Sequence, residues 1–278
     1  MCDINSFGII GGDKRQLYCG DSIGGDGYSV SYCGFGNSSG YPVTDLQELI
    51  RKSDVLILPL PCTRDGVTVS TPLSEEKILL EDVFSLAGNK PVFCGMKHKL
   101  KTAGGRIFDY SIREDFAVAN AVPTAEGAIG VAIKEYDGVI CGSSCLVTGY
   151  GRIGRVLSSM LRGMGADVAV SARKQGDLAF IRAAGMNAVR SDELHGKYDL
   201  IFNTVPFMLF DARTLAKTAV GALLIDLASL PGGVDLKAAE RLSVKTVQAL
   251  SLPGKTAPKA SGIIIKNAVY NSIEEENL

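Results

Sequence analysis

The chain has no tryptophan, only two histidines and no excess of either charge. Lys and Arg number 29 against 30 Asp and Glu, a formal charge of −1. That balance leaves no basic footprint for nucleic acid and no basic patch for anionic lipid. Seven cysteines are scattered as Cys2, Cys19, Cys33, Cys62, Cys94, Cys141 and Cys145, with no Cys-x-x-Cys among them. Zinc is therefore not expected, and the thiols are expected to be reduced and buried. No P-loop, internal repeat or low-complexity segment occurs and no serine-hydrolase elbow is expected, so hydrolase and kinase readings lack support. The opening MCDINSFGIIGG lacks a cationic stretch followed by a long apolar one and is not expected to be a signal peptide. Apolar runs such as Asp54–Leu60 stop far short of the roughly 20 residues that span a bilayer. These absences lead to the expectation of a soluble, cytoplasmic, metal-free protein.

What is present is a chain of 278 residues, 46% of them hydrophobic, enough for about two ordinary domains. Short β-branched or aromatic runs bounded by Gly, Pro, Asp or Asn alternate with helical patterns. Phe7–Ile10, Tyr28–Cys33, Val55–Leu58, Pro91–Cys94, Arg106–Tyr110 and Phe116–Ala119 read as strands in the first part. Cys145–Thr148, Asp167–Val170, Asn187–Val189, Leu200–Asn203, Leu223–Leu227 and Lys245–Gln248 read so in the second. Such alternation predicts parallel sheets built from βαβ units. A helix is predicted to start at Pro123, where the missing N–H does no harm, and to stop near Gly138. A second long helix is predicted over Lys259–Glu275, after the turn-rich Leu252–Lys255. The expected architecture is α/β, with two Rossmann-like, doubly wound parallel-sheet domains linked by long helices. One comprises residues 1–122 with 259–278, and the other residues 123–258.

The sharpest motif is Gly149-Tyr150-Gly151-Arg152-Ile153-Gly154, directly after a predicted strand and before a predicted helix. In that context G-x-G-x-x-G is a dinucleotide fingerprint. Gly149 makes the turn, Gly151 lets backbone approach a pyrophosphate, and Gly154 lets helix pack on strand. A glycine-rich turn that binds nothing is the plainer reading, and it fits the surrounding strands and helices less well. At the end of the next strand NAD sites carry an acidic residue for the ribose. Here Ser171, Arg173 and Lys174 stand instead, suited to a 2′-phosphate, so NADP is the expected cofactor. Asn203, Thr204 and Pro206, and Asp226 and Ser229, end two later strands and are expected on the nicotinamide side of the same cleft. As plain turn residues they would instead cap the following helices.

Four segments in order resemble the dipicolinate synthase A subunit of spore-forming bacteria. They are Gly11-Gly12-Asp13-Lys14-Arg15-Gln16, Asn120-Ala121-Val122-Pro123-Thr124-Ala125-Glu126-Gly127, Asp226–Ser229 with Pro231-Gly232-Gly233, and Leu252–Lys259. The resemblance spans nearly the whole chain. It implies the two-domain arrangement of 2-hydroxyacid dehydrogenases, with a flavodoxin-like first domain for substrate and catalysis and an NADP-binding second domain. It implies NADP-dependent oxidation of dihydrodipicolinate to dipicolinate, on a branch of the diaminopimelate and lysine pathway, in the cytoplasm of the sporulating mother cell. It also implies a flavoprotein partner, the dipicolinate synthase B subunit. Two places depart from the family's pattern. Leu230 stands where many relatives carry Arg, and Cys19–Gly27 is glycine-rich where relatives tend to have a longer helix.

A small dicarboxylate needs cationic or N–H-rich pockets around an apolar slot. Arg15 and Lys255 are the expected carboxylate clamps, with Gly12, Pro61, Thr63, Thr256 and Lys259 as further substrate contacts. Most surface Lys and Arg are merely solvated; position beside strand ends is what singles these out. Asp13 is the expected general base, with Glu126 next. His98, between two lysines, and His195 read as surface residues. Two other readings stay open: a non-catalytic NADP-binding subunit that scaffolds or regulates the flavoprotein, and another NADP-dependent dehydrogenase of the 2-hydroxyacid type.

Overall fold

The computed structural model describes residues 4–36, 40–101, 105–194 and 197–278. Cys2 and His195 lie outside them. The chain divides into two units, Met1–Asn120 with Ala257–Leu278, and Ala121–Thr256.

The first unit carries β1 (Ser6–Ile10), α1 (Lys14–Gly25), β2 (Ser29–Cys33), α2 (Leu46–Lys52), β3 (Val55–Ile57), α3 (Leu80–Ala87), β4 (Val92–Cys94) and β5 (Ile107–Asp109). Its strands form one parallel sheet in the order β2-β1-β3-β4-β5. Successive residues of a strand face opposite sides of its sheet, and the core follows that period. Phe7, Ile9, Val55, Ile57 and Phe93 pack on one side with Leu17 and Ile23 of α1. Ile10, Leu56, Leu58 and Cys94 pack on the other with Leu49 of α2 and Val83 of α3. Burial on both sides is what makes the strands near-continuous apolar runs.

α4 (Glu114–Glu135) follows. The second unit then runs β6 (Ser144–Thr148), α5 (Arg152–Gly163), β7 (Asp167–Ala172), α6 (Gln175–Ala183), β8 (Asn187–Arg190), β9 (Leu200–Asn203), α7 (Ala212–Leu215), β10 (Leu223–Asp226), α8 (Leu236–Arg241), β11 (Lys245–Gln248) and α9 (Leu252–Thr256). Its parallel sheet has the order β11-β10-β9-β6-β7-β8. Cys145, Val147, Val168, Val170 and Phe202 pack with helices α4 to α6 on one side. Leu146, Ala169, Ile201 and Leu224 pack towards α7 and α8 on the other. The last helix, α10 (Pro258–Glu275), belongs to the first unit, where Ile265, Ala268 and Val269 join the α1 side of the core.

Several expectations are corrected. Phe116–Ala119 is helix, and α4 begins at Glu114 rather than at Pro123, which lies inside it. Glu114 and Asp115 suit a helix N-terminus, and alanines favour helix over strand. The cost of about 3 kcal/mol for an interior proline is outweighed by burial of Ala121, Ala125, Ala128 and Ala132. α4 alone among the described helices has the length and mean hydropathy, 1.4, to span a bilayer; its polar interruptions hid this from a search for unbroken runs. Leu252–Lys255 is part of the short helix α9, not a turn. α1 continues through the glycine-rich stretch to Gly25. Cys141 is exposed, while the other described cysteines are buried.

Arg113 ties the start of α4 to the end of α10. Its guanidinium donates to both carboxylate oxygens of Asp115, at 2.9 and 3.0 Å, and to both of Glu275, at 2.6 and 2.8 Å. Asn271 also donates to Asp115, at 2.7 Å. The Arg113 hydrogen bonds bring the Asp115 carboxyl down to about 2 and lower that of Glu275. A lowered carboxyl stabilises the fold above its unfolded value, about 4, and that stability is lost as the pH falls through the folded value. Arg113→Met is expected to cost about 1 kcal/mol at pH 7, as partly exposed pairs do. Urea unfolding of both proteins should show the difference shrinking from about pH 4 through pH 2. A difference unchanged by acid would contradict this role.

Candidate functional site

β6 ends at Thr148, and Gly149 turns the chain with φ +90°. α5 then starts at Arg152 with Gly151 as its N-cap, and no side chain caps it. A Cβ at position 154 would run into the Gly149 carbonyl oxygen, so only glycine lets α5 start this close to the strand. A Cβ at position 151 would meet nothing within 4 Å. The helix N-terminus thus opens with its partial positive charge onto unfilled space.

That space is a cavity of about 900 Å³. Gly149, Tyr150 and Gly151 form one part of its wall, Ala172, Arg173 and Lys174 another, and Val205, Pro206 and Phe207 a third. It lies beyond the carboxyl ends of β6, β7 and β9, at the place where strand order reverses. Ligands of such sheets bind there. An open Gly151 and an uncapped helix terminus fit a pyrophosphate, so the residues present fit a dinucleotide.

Arg173 and Lys174 are exposed in this wall and have no carboxylate partner among the described residues. The sequence reading missed a third cation, Arg190, which also lines the cavity. It ends β8 and pairs in register with Ala172 of β7. Only the adjacency of these strands reveals it. Arg190 pairs with Asp192 at 2.8 Å and Glu193 at 3.8 Å. Its hydrogen bonds lower the Asp192 carboxyl. Asp177, in the first turn of α6, is a further wall residue and lies 3.5 Å from Arg155. Ser171 does not line the cavity: it is fully buried in the ladder, with its hydroxyl 3.4 Å from that of Ser191.

Asn203 and Asp226 do not line it either. Both are buried, and their polar atoms are consumed at the strand ends. The Thr148 hydroxyl donates to Asn203 Oδ1 at 2.6 Å. Asn203 Nδ2 donates to Asp226 Oδ1 at 2.8 Å and to the Val205 carbonyl at 3.1 Å. The Asp226 carboxylate also accepts from the N–H groups of Ala228, at 3.2 Å, and Gly233, at 3.4 Å. A Cβ at position 233 would overlap Asn203 Nδ2 and the carbonyls of Val205 and Phe207, so the Pro-Gly-Gly turn closes tightly on this network. Thr204 donates its hydroxyl to the Thr148 carbonyl at 2.7 Å. These residues position the wall formed by Val205–Phe207 rather than contact a ligand. Ser229 is exposed and outside the wall, and so is Leu230. Arg152 and Ile153 lie on α5 outside the wall as well.

In the first unit Asp13 is the N-cap of α1. Its carboxylate accepts from the Arg15 backbone N–H at 2.9 Å and from Arg15 Nε and Nη2 at 2.9 Å each. Arg15 Nη2 also donates to the Leu60 carbonyl at 2.5 Å. Asp13 is thereby an anchor for Arg15. Thr63 is buried and turned inward, donating to Asp65 at 3.0 Å and accepting from the Gly66 N–H at 2.9 Å. Pro61 is half-buried nearby in sequence, and His98 is exposed in a short turn of 3-10 helix. Glu126 of α4, Lys255 of α9 and Lys259 of α10 are all exposed. The Thr256 hydroxyl returns to the Leu252 carbonyl at 2.8 Å.

The two parallel-sheet units and the glycine turn opening on a dinucleotide-sized cavity define a dehydrogenase-like protein of two Rossmann-type units. Residues 130–231 match the model of the D-isomer specific 2-hydroxyacid dehydrogenase NAD binding domain. Residues 6–103 match that of the N-terminal domain of the dipicolinate synthase A subunit. The chain is 32% identical to the dipicolinate synthase A subunit of Bacillus subtilis (strain 168), covering 96% of this chain and 95% of the relative. The crystal structure of the Bacillus subtilis A chain matches with a TM-score of 0.87 and 31% identity, over 99% of this chain and 97% of that one. That of the A subunit from Bacillus halodurans also matches with a TM-score of 0.87 and 31% identity, over 97% of each chain. The chain belongs to the dipicolinate synthase A-subunit family.

Asn203→Leu tests the positioning network. It removes a donor from a buried carboxylate, which costs about 2–3 kcal/mol, and it frees the Val205–Phe207 wall. Denaturant unfolding and a nucleotide titration should both register the loss. Wild-type stability with wild-type affinity would contradict the assignment.

Proposed function

We propose that this protein uses NADP+ to oxidise dihydrodipicolinate to dipicolinate, in the cytoplasm of a sporulating mother cell and together with the flavoprotein B subunit. Family membership and the dehydrogenase-like unit support oxidoreductase chemistry. The observation that carries the cofactor choice is the cationic wall. Arg173 and Lys174 have no carboxylate partner among the described residues, Arg190 lines the same cavity though paired with Asp192, itself a wall residue, and no acidic residue ends β7. When bound, the nicotinamide ring supplies a hydride acceptor. The open turn at Gly149–Gly151 would hold the pyrophosphate and the cations the 2′-phosphate, with Pro206 and Phe207 lining another part of the cavity.

The substrate loses a hydride from one ring carbon and a proton from a neighbouring atom, and the ring becomes aromatic. Aromatisation supplies the driving force, so the protein's task is mainly to hold the ring in place. Arg15 and Lys259, both of the first unit, are the cations proposed for the carboxylates. Asp13 holds Arg15 in position, and Glu126, exposed and without those ties, takes its place as the proposed proton acceptor.

The engagement of Asp13 favours, as the second reading, a nucleotide-binding subunit without chemistry of its own. One assay separates them. Absorbance at the reduced-nicotinamide band is followed with a dihydrodipicolinate-generating system, with and without the flavoprotein. The proposal predicts NADP-dependent turnover that Arg173→Ala impairs through a KM for NADP raised about ten- to hundredfold, the effect of losing hydrogen bonds to a charged group, with kcat little changed. Binding of NADP without turnover under either condition would leave the scaffold reading in its place.

A further inference from the structure

Gln16 is fully buried, yet neither its Oε1 nor its Nε2 has a hydrogen-bond partner among the described residues. Buried amides without partners are rare and costly. Gln16 stands three residues after the N-cap Asp13, the place from which a glutamine ordinarily reaches back to the N-cap N–H. That bond is not made. The N–H groups of Asp13 and Lys14 likewise have no partner among the described residues.

The side chain is instead folded over Gly12. A Cβ at position 12 would lie 2.5 Å from Gln16 Oε1 and 2.7 Å from its Cδ and Cγ. Gly12 has φ +105°, and its N–H is fixed on the Ser70 carbonyl at 2.8 Å. Glycine is thus required there both for its backbone conformation and for the room it leaves the carboxamide. The carboxamide lies against the N-terminal turn of a 12-residue helix, whose dipole favours an anion.

The location adds to this. In the sheet order β2-β1-β3-β4-β5, β1 lies at the point of reversal between β2 and β3. Gly11 to Gln16 leave its carboxyl end, where ligands of such sheets bind. Arg15, on the same turn, is held by Asp13 and by the Leu60 carbonyl beyond β3. Its Nη1 has no partner among the described residues.

We propose that Gln16, with the N–H groups of Asp13 and Lys14, forms a carboxylate-binding subsite of the first unit. Gln16 Nε2 and the two N–H groups donate to the carboxylate of a small planar acid, and Arg15 supplies the counter-charge. This names a substrate contact and rests on the dicarboxylate substrate proposed above.

The test uses the full chain with NADP+ present and pyridine-2,6-dicarboxylate as the probe, by calorimetry. Gln16→Met keeps the volume and removes both polar atoms. It should bind the probe at least tenfold more weakly, bind NADP+ as the wild type does, and melt at or above the wild-type temperature without probe. A carboxamide with partners in the protein would give the opposite, a variant that melts well below the wild type, and would overturn the subsite. Wild-type probe affinity in the variant, or no binding by the wild type, would overturn it as well. If Gln16→Met is not obtained folded, Gln16→Glu keeps the shape and places an anion there. The same loss at neutral pH supports the subsite, and retained affinity refutes it. Turnover is scored separately. Gln16-dependent binding without NADP-dependent oxidation removes the proposed reaction and leaves the subsite. Normal oxidation by Gln16→Met removes the subsite and leaves the reaction.

Discussion

The Asp226 carboxylate, buried at the end of β10, receives Asn203 Nδ2 from the end of β9 and two N–H groups from the loop that follows. Asn203 is held in turn by Thr148 at the end of β6. Three strand ends are therefore joined through one set of hydrogen bonds, and the nucleotide cavity opens beside them. A buried charge is tolerated only when it is satisfied in this way. The constraint reaches outward. Val205 is fixed at both its N–H and its carbonyl by Asn203, and Pro206 and Phe207 follow it into the cavity wall. Gly233 has room for no side chain because the turn closes on the same atoms. The Asp-Leu-Ala-Ser and Pro-Gly-Gly segments are thus the frame around which the site is set.

Much of the fold was legible because strand periodicity and burial agree. Phe7, Ile9 and Ile10, or Val55, Leu56 and Ile57, are apolar without interruption because helices cover both sides of each sheet. The glycine turn was legible because Gly149 and Gly154 each answer a separate steric demand within six residues, while Gly151 leaves open space before the helix. α4 was misjudged at its start because Pro123 is a strong local signal, and the packing of the alanines around it, which overrides that signal, is not local.

Side-chain roles were less legible than side-chain places. Asn203 and Asp226 stand at strand ends, as ligand contacts do, but whether such a group faces a ligand or its neighbours is decided by residues 23 positions apart. Arg190 escaped notice because only strand order brings it beside Arg173. Asp13 is singled out by its place at a strand-to-helix turn, but its pairing with the Arg15 side chain two residues on is visible only in the structure. Among the described residues each unit leaves donors unpaired beside a helix start or a cavity wall. Arg173 and Lys174 stand in the wall of one, and Gln16 Nε2 stands at the helix start of the other. A chain with a net charge of −1 offers anions no general attraction, so local donors of this kind must do the selecting.

The cationic wall is the centre of the functional account, and a cofactor fragment isolates it. Calorimetric titration with adenosine 2′,5′-bisphosphate and with adenosine 5′-monophosphate leaves the nicotinamide and the substrate out of the comparison. The account predicts that the bisphosphate binds at least tenfold more tightly, with an advantage that shrinks as salt is raised, because Arg173, Lys174 and Arg190 hold its 2′-phosphate at a solvent-facing wall. Equal affinity of the two fragments at low salt would contradict it.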